Sequence, residues 1–157
     1  MSAVARLLQT HRAGGERLRV LSASGQLGFG IVAASLERGL ARRPHFIGCD
    51  MGSIDPGPYF LGSGQMAAPR AMVRRDLELV LRGARELDVP LIIGSAGTAG
   101  AAPHVAQVRQ IIEEIAAERG WSLRLATIAS DLSAEWVLQA QREGRLHAIG
   151  PMADPTE

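Results

Sequence analysis

The sequence predicts an α/β fold: a three-layer, mostly parallel sheet of four or five strands with helices on both faces, as in Rossmann-like domains. Short apolar runs of strand length alternate with longer segments whose apolar residues recur at helical spacing. Glycine-rich loops follow three of these apolar runs. At 157 residues the chain has the length of one domain, which at this size buries a core without disulfides.

The predicted elements alternate between strand and helix along the whole chain. Pro69 suits the start of a long helix, because proline lacks the N–H that the first helical turn leaves unpaired. Gly120 suits the end of the next helix, and Ser133 the start of the last one. The predicted strands are 18–22, 45–49, 90–94, 123–128 and 146–149, and the predicted helices are 31–42, 69–87, 105–119 and 133–142.

Composition bounds the organisation and the partners of the chain. We expect residues 1–16 to be an N-terminal lead-in, residues 17–150 to form a single α/β domain and residues 151–157 to be a tail. The net charge of +1 and the 4% of aromatic residues give no reason to expect binding to nucleic acid or to a membrane. The single cysteine, Cys49, fits a reducing compartment, and no signal peptide or membrane span is visible, so we expect a cytoplasmic protein. Because the chain has no lysine, Schiff-base chemistry and a Walker A site are excluded.

Three loops are expected at one edge of the sheet, namely 22–30, 50–64 and 94–104. Right-handed crossovers place strand-to-helix loops at the carboxyl ends of parallel strands, where ligands of α/β domains bind. All three loops are rich in glycine and hydroxyl side chains. The sequence therefore predicts a shared site for a small anionic molecule.

The first of these loops is glycine-rich and precedes a helix. Backbone N–H groups in such a loop, together with the positive end of a helix dipole, favour a phosphate or a carboxylate. Its Gly-x-x-Gly-x-Gly spacing differs from the Gly-x-Gly-x-x-Gly dinucleotide fingerprint, so NAD is a weaker expectation, although Asp50 lies where a ribose-binding acid would be. A tight turn without a ligand is the alternative. The candidate ligand-binding residues here are Ser24, Gly25, Gly28 and Gly30.

The second loop is long, since a connection between a strand and a helix needs only about 2–6 residues. Its two carboxylates, Asp50 and Asp55, can act as acid and base, bind substrate hydroxyls or hold a divalent cation. The alternative is that Asp50 caps nearby backbone and Asp55 is a turn residue. No recognised ligand spacing supports a metal. We take Asp50 and Asp55 as candidate catalytic residues and Gly52 and Ser53 as candidate ligand-binding residues.

The third loop ends at His104, at the start of a helix, where the helix dipole disfavours protonation. A neutral imidazole near two carboxylates can serve as a base, which makes His104 the third candidate catalytic residue. A purely structural histidine is the alternative. The candidate ligand-binding residues of this loop are Gly94, Ser95, Gly97 and Thr98.

For four other reactive or charged residues we favour a structural role over a functional one. Cys49 ends a buried apolar run, and we interpret it as a small core residue rather than a nucleophile. Arg70, Arg74 and Arg75 begin the helix after the long loop and can reach an anion at this edge, but a solvated helix face is the stronger interpretation.

The three loops also carry a resemblance to a known family. The segments are Ser-Gly-Gln-Leu-Gly-Phe-Gly at 24–30, Asp-Met-Gly-Ser-Ile-Asp-Pro-Gly-Pro-Tyr-Phe-Leu-Gly at 50–62 and Ile-Gly-Ser-Ala-Gly-Thr-Ala-Gly at 93–100. With them the chain resembles the N-terminal part of the acyclic terpene utilisation family, the AtuA-like proteins. The resemblance implies a catabolic role on small acids or their coenzyme A thioesters. Because proteins of that family look considerably longer, it also implies either a split or truncated member of the family or a domain that works with a partner subunit supplying the missing part.

The leading hypothesis is an enzyme, or one domain of an enzyme, acting on a small carboxylate or an acyl-coenzyme A thioester. A hydratase or lyase fits better than a redox enzyme, because proton transfer by carboxylates needs no cofactor. One alternative is a non-catalytic ligand-binding or assembly domain that needs a partner or forms a homo-oligomer. A nucleotide- or dinucleotide-binding domain is the other. The cofactor stays open, with coenzyme A as part of a substrate favoured over NAD.

Overall fold

The computed structural model describes residues 3–14, 17–52, 58–148, 150–151 and 153. Strands and helices alternate through these residues. In chain order the elements are α1 (Ala3–Gly14), β1 (Val20–Gln26), α2 (Ala33–Leu40), β2 (Phe46–Asp50), α3 (Tyr59–Ser63), α4 (Arg70–Leu87), β3 (Leu91–Gly94), α5 (Ala102–Arg119) and α6 (Ala134–Arg142).

The paired strands form one parallel sheet in the order β1-β2-β3. In the centre of the sheet Ile47 lies opposite Leu21 on one neighbour and opposite Leu91 on the other. Because the strands are parallel, their carboxyl ends share one edge. The α/β class and the parallel, Rossmann-like sheet that the sequence predicts are confirmed.

A layer of helices covers one face of this sheet. α2 contacts β1 and α4, and α4 contacts β2, β3 and α5. Both crossovers lie on the same side, because right-handed connections that step in one direction through a sheet put their helices on one face. The centre of the resulting core includes Leu27, Ile47, Leu77, Ile111 and Ile115, each at most 1% exposed.

The opposite face of the sheet is only partly covered. Val20 and Ile92 point away from the helices by strand alternation and are 52% and 57% exposed. Phe46 and Gly48, which lie between them on the central strand, are half-buried. Parallel sheets are usually covered on both faces, so this outward face has room for a further layer.

The two long helices follow from their apolar periodicity. In α4 the buried residues Val73, Leu77 and Val80 recur at spacings of three and four, which places them on one face. The helix ends at Asp88 in the left-handed conformation, and α5 ends in the same way at Gly120, as predicted.

Residues 123–128, which the sequence predicts as a fourth strand, form no paired strand. The segment does run in the strand direction. Arg85 near the end of α4 donates to the carbonyl of the residue before it, and Asp131 beyond it accepts the Ala102 N–H at the start of α5. Most of the segment is exposed, with Ile128 at 89%, so its apolar residues lack the packing on which strand propensity depends.

The two ends of the chain also differ from expectation. The predicted lead-in contains α1, whose Arg6 forms an ion pair with Asp88. The sequence predicts a fifth strand at 146–149, but residues 146–148 form no strand. They would pair beside the predicted fourth strand, 123–128, which is itself outside the sheet. Ile149 lies outside the described residues. Of the predicted tail, only residues 151 and 153 are described. The predicted last helix is present as α6.

Candidate functional site

The three glycine-rich loops lie together at the carboxyl edge of the sheet. The Leu27 N–H donates to the Asp50 carbonyl at 2.8 Å, which joins the first loop to the end of β2. The Met51 N–H donates to the Gly94 carbonyl at 3.0 Å, which joins the second loop to the end of β3. The loops therefore meet, as the parallel strands require.

The second and third loops approach so closely that only glycine fits between them. A Cβ atom on Gly52 would lie 1.7 Å from the Thr98 carbonyl oxygen and 2.8 Å from the Ser95 Cβ atom. The Thr98 Oγ1 atom accepts the Ala67 N–H at 2.8 Å, and Thr98 is only 8% exposed. Gly52 and Thr98, both predicted to bind a ligand, hold the two loops together here.

The first loop wraps around a buried carboxylate that the chain itself provides. Asp76, on α4, is 0% exposed. Its Oδ2 atom accepts the N–H groups of Gly28 and Gly30, each at 2.9 Å. Its Oδ1 atom accepts the Ile31 N–H at 3.0 Å and a hydrogen bond from the Arg75 guanidinium at 2.7 Å. These N–H donors, proposed to bind an external phosphate or carboxylate, are already bonded to an internal one.

Asp76 is the residue that the sequence analysis missed. The signal was its position in α4, where it lies on the same buried stripe as Val73, Leu77 and Val80. An aspartate is rarely fully buried unless it is paired, so an aspartate on an apolar stripe predicts a partner. The apolar pattern does not show which distant loop supplies that partner, because Asp76 and the first loop come together only in the folded chain.

A second internal carboxylate lies at the N-terminus of α5. Asp131 accepts the Ala102 N–H at 2.9 Å. Pro103 has no N–H, and the N–H of His104 donates to the Ala101 carbonyl at 2.9 Å. The helix N-terminus, which favours an anion, is thus supplied with one by the chain.

His104 is buried and fixed by backbone carbonyls. It is 0% exposed, and its Nε2 atom lies 2.9 Å from the Phe60 carbonyl oxygen and 3.2 Å from that of Gln65. Since both neighbours are acceptors, Nε2 carries the hydrogen. Nδ1 has no hydrogen-bond partner in the part of the chain that is described. The side chain predicted to be a base is therefore buried, and it ties α3 and the residues after it to α5.

Asp50, a predicted catalytic residue, has an exposed carboxylate at this edge. It ends the central strand, and its Oδ1 atom accepts the Gly52 N–H at 2.9 Å. Its Oδ2 atom has no hydrogen-bond partner among the described residues. Asp55 and Ser53, the other candidates of this loop, lie outside the described residues.

The third loop has an unusual backbone. Ser95 and Thr98 have φ angles of +48° and +95°, in the region that favours glycine. Gly97, at φ +69°, packs against His104, whose Cβ atom would lie 2.8 Å from an added Cβ. Left-handed residues other than glycine persist where the surrounding structure holds them, and they cluster at functional sites. Of the remaining candidates, Ser24 and Gly25 lie in the last part of β1.

Within the described ranges, no group of three or more histidine, cysteine, aspartate or glutamate residues is placed to hold a metal ion. No helix in those ranges is long and apolar enough to cross a bilayer. No protein-family model, curated protein or solved structure matches the chain. Its site is therefore interpreted from geometry.

Cys49 has the properties of a core residue. It lies on β2 with its side chain on the helix-covered face, in contact with the core. Burial raises the pKa of its thiol from 9.0 to about 12, and a hydrogen bond with the backbone of Ala23 only partly offsets this. A thiol that stays protonated is a poor nucleophile, which supports the structural interpretation.

The three arginines at the start of α4 are used in ion pairs. Arg70 pairs with Glu114 at 2.7 Å, and Arg74 pairs with Glu118 on the same neighbouring helix. Arg75 pairs with Asp76, the buried carboxylate that the first loop surrounds. These contacts join α4 to α5 and to the loop, which supports the structural interpretation over a role in holding a ligand.

Asp50 and Ser95 have exposed polar side chains at this edge. The Asp50 carboxylate can accept a hydrogen bond from a hydroxyl or N–H of a ligand, or can take up a proton. The Ser95 hydroxyl beside it can donate or accept. The first-loop N–H donors and the Ala102 N–H are already bonded to Asp76 and Asp131, so they are not available to an external anion.

Proposed function

We propose that this chain is a binding or assembly domain that does not catalyse a reaction on its own. The observation that carries the proposal is the internal use of the loop donors. Gly28, Gly30 and Ile31 donate to Asp76, and the imidazole of His104 is buried against carbonyl groups. The first-loop N–H donors and the His104 imidazole, which anion binding and proton transfer at this edge would use, are therefore occupied by the fold.

The outward face of the sheet supports the assembly part of this proposal. Val20 and Ile92 expose apolar surface there, and parallel sheets are normally covered on both faces. We propose a second copy of this chain as the occupant. Among the residues of the three described strands, the register places one charged residue, Asp50, on this face, so the strands of two copies can meet around a twofold axis with little repulsion.

Sedimentation velocity at several protein concentrations tests this assembly. We expect a dimer for the natural chain and a monomer for the double variant Val20→Thr, Ile92→Thr, since threonine keeps the β-branched shape and removes apolar surface. Val32→Thr, at a site 64% exposed before α2, is the matched control and should leave the dimer unchanged. A natural chain that stays monomeric, or a dimer insensitive to the double variant, contradicts the proposal.

A second candidate is an enzyme that acts on a small carboxylate or acyl-coenzyme A thioester, with Asp50 moving a proton or holding a substrate hydroxyl. A specific observation favours it: Asp50 is exposed with one oxygen fixed and lies beside Ser95 in a left-handed conformation. The resemblance to the acyclic terpene utilisation family supports a catabolic role, and a cytoplasmic location fits the single cysteine. The natural partner would then be a subunit that supplies the anion-binding groups.

Turnover separates the two candidates. Small hydroxy acids and acyl-coenzyme A thioesters should give no product with the natural chain if the first proposal holds. Product formation that is lost in Asp50→Ala and retained in Ser63→Ala, an exposed hydroxyl of the same loop region, would favour the enzyme.

Nucleotide binding has the least support, because its phosphates would need the N–H donors that Asp76 holds. Thermal unfolding with NAD, NADP, FAD and coenzyme A tests it. A ligand at 100 times its dissociation constant should add about 2.7 kcal/mol of stability, and we expect no such shift.

A further inference from the structure

A cavity of about 340 Å³ lies at the amino end of the sheet, opposite the three loops. It is formed where α1 and the end of α4 meet the residues that lead into the strands. Its polar lining residues are Arg6, Arg19, Arg43, His45 and Asp88. Sites for small molecules typically enclose roughly 300–1,000 Å³, so the cavity is large enough for a ligand of modest size.

Charge in this cavity is predominantly positive. Three arginines face one aspartate, and Asp88 already pairs with Arg6. Among the described residues, the guanidinium of Arg43 has no carboxylate partner. A concave surface lined by one sign of charge concentrates ligands of the opposite sign.

Arg19 and His45 hold two hydrogen-bond donors side by side, and no acceptor for either is found among the residues that the structure describes. The backbone N–H of Arg19 donates to His45 Nδ1 at 2.9 Å, so Nδ1 is an acceptor and Nε2 of the neutral ring carries the hydrogen. The Arg19 Nη2 atom lies 3.3 Å from that Nε2 atom, and both atoms are donors. An oxygen atom that accepts from both would complete the arrangement.

The backbone around these donors holds them in place before any ligand arrives. The Arg19 Nε atom donates to the Arg43 carbonyl at 3.1 Å. Arg43 itself is in the left-handed conformation, at φ +49°, with its N–H bonded to the Leu40 carbonyl at 2.8 Å. Donors fixed in this way lose little side-chain entropy on binding.

We propose that this cavity binds an oxyanion group, a phosphate or a carboxylate, of a small molecule. Arg19 Nη2 and His45 Nε2 donate to one oxygen, and Arg43 contributes charge. This site is separate from the carboxyl edge, and its existence does not depend on the function proposed above.

Isothermal titration calorimetry of the full chain at low ionic strength tests the proposal with inorganic phosphate and, separately, with malonate. We expect a dissociation constant of about 1 mM or tighter for at least one of them. Arg19→Gln and Arg43→Gln should each weaken it, Arg19→Gln by at least about tenfold, since a hydrogen bond to a charged group is lost. Arg109→Gln, on an exposed part of α5 where Arg109 pairs with Glu113, is the control and should change nothing.

Circular dichroism and thermal unfolding establish that each variant is folded. If Arg19→Gln does not fold, Arg43→Gln still tests the proposal. Binding of phosphate alone assigns the site to a phosphate ester, and binding of malonate alone assigns it to a carboxylate. No binding of either probe, or equal affinity in the natural chain and in Arg43→Gln, overturns the proposal.

Discussion

The two ends of the parallel sheet use charge in opposite ways. At the carboxyl end, N–H donors of the first loop and of the α5 N-terminus bond to the chain's own carboxylates, Asp76 and Asp131. At the amino end, Arg19 and His45 place two donors next to each other, with no acceptor in the described part of the chain. A glycine-rich loop is therefore not by itself an anion site; what its donors already bind decides the matter.

The largest effect that tests this comparison is expected for Asp76→Ala. The change leaves three N–H groups of the first loop without an acceptor. Two of them, on Gly28 and Ile31, are buried, and each buried unsatisfied donor costs about 1–3 kcal/mol. Urea unfolding should show a loss of about 3 kcal/mol or more. Glu86→Ala, on the exposed face of the same helix, is the control and should stay within about 0.5 kcal/mol. A small loss for Asp76→Ala would mean that the loop does not depend on this carboxylate.

An intermediate effect is expected where the second and third loops touch. In Gly52→Ala the new methyl group would overlap the Thr98 carbonyl, which is backbone and cannot swing away. Overpacking of this kind costs about 1–3 kcal/mol, which thermal or urea unfolding measures. Gly62→Ala, in α3, meets nothing within 4 Å and should be neutral or stabilising. Equal stability of the two variants would contradict the close contact between these loops.

The smallest effect concerns Cys49, which lies on the central strand between the two ends. Its pKa of about 12 keeps the thiol protonated, so iodoacetamide should label the native chain far more slowly than the urea-unfolded chain at pH 8. The same shift has a defined sign for stability. Between pH 9 and about 12 the unfolded chain loses this proton while the native chain keeps it, so stability falls as pH rises. Equal labelling rates at pH 8 would show that the thiol is accessible and ionised.

Sequence patterns were sufficient to predict the features of the fold that depend on local periodicity. The paired strands, the two long helices and the meeting of three loops at one edge all follow from apolar spacing and right-handed crossovers. Hydrogen bonds between residues far apart in the chain could not be predicted from these patterns. Nothing near the first loop shows that Asp76, more than 40 residues away, fills it. The burial of His104 likewise depends on α3, which forms inside a segment that the sequence presents as a loop.

Residues 123–128 show the limit of propensity. Their apolar and β-branched residues suit a strand, and the segment runs in the strand direction, yet Ile128 is 89% exposed and the segment forms no paired strand. Strand propensity describes the fit of a side chain to a half-buried surface, so it cannot hold a segment in a sheet when that surface is absent.

The comparison between the two ends is tested most directly by titrating inorganic phosphate and, separately, malonate into ¹⁵N-labelled chain at low salt and following the backbone amide shifts. With at least one of the two probes we predict saturable shifts at Arg19, Arg43 and His45, and with neither probe do we expect shifts at Gly28, Gly30 and Ile31. Shifts confined to the first loop, with the arginine-lined end unchanged, would contradict the assignment of internal carboxylates to one end and an open oxyanion site to the other.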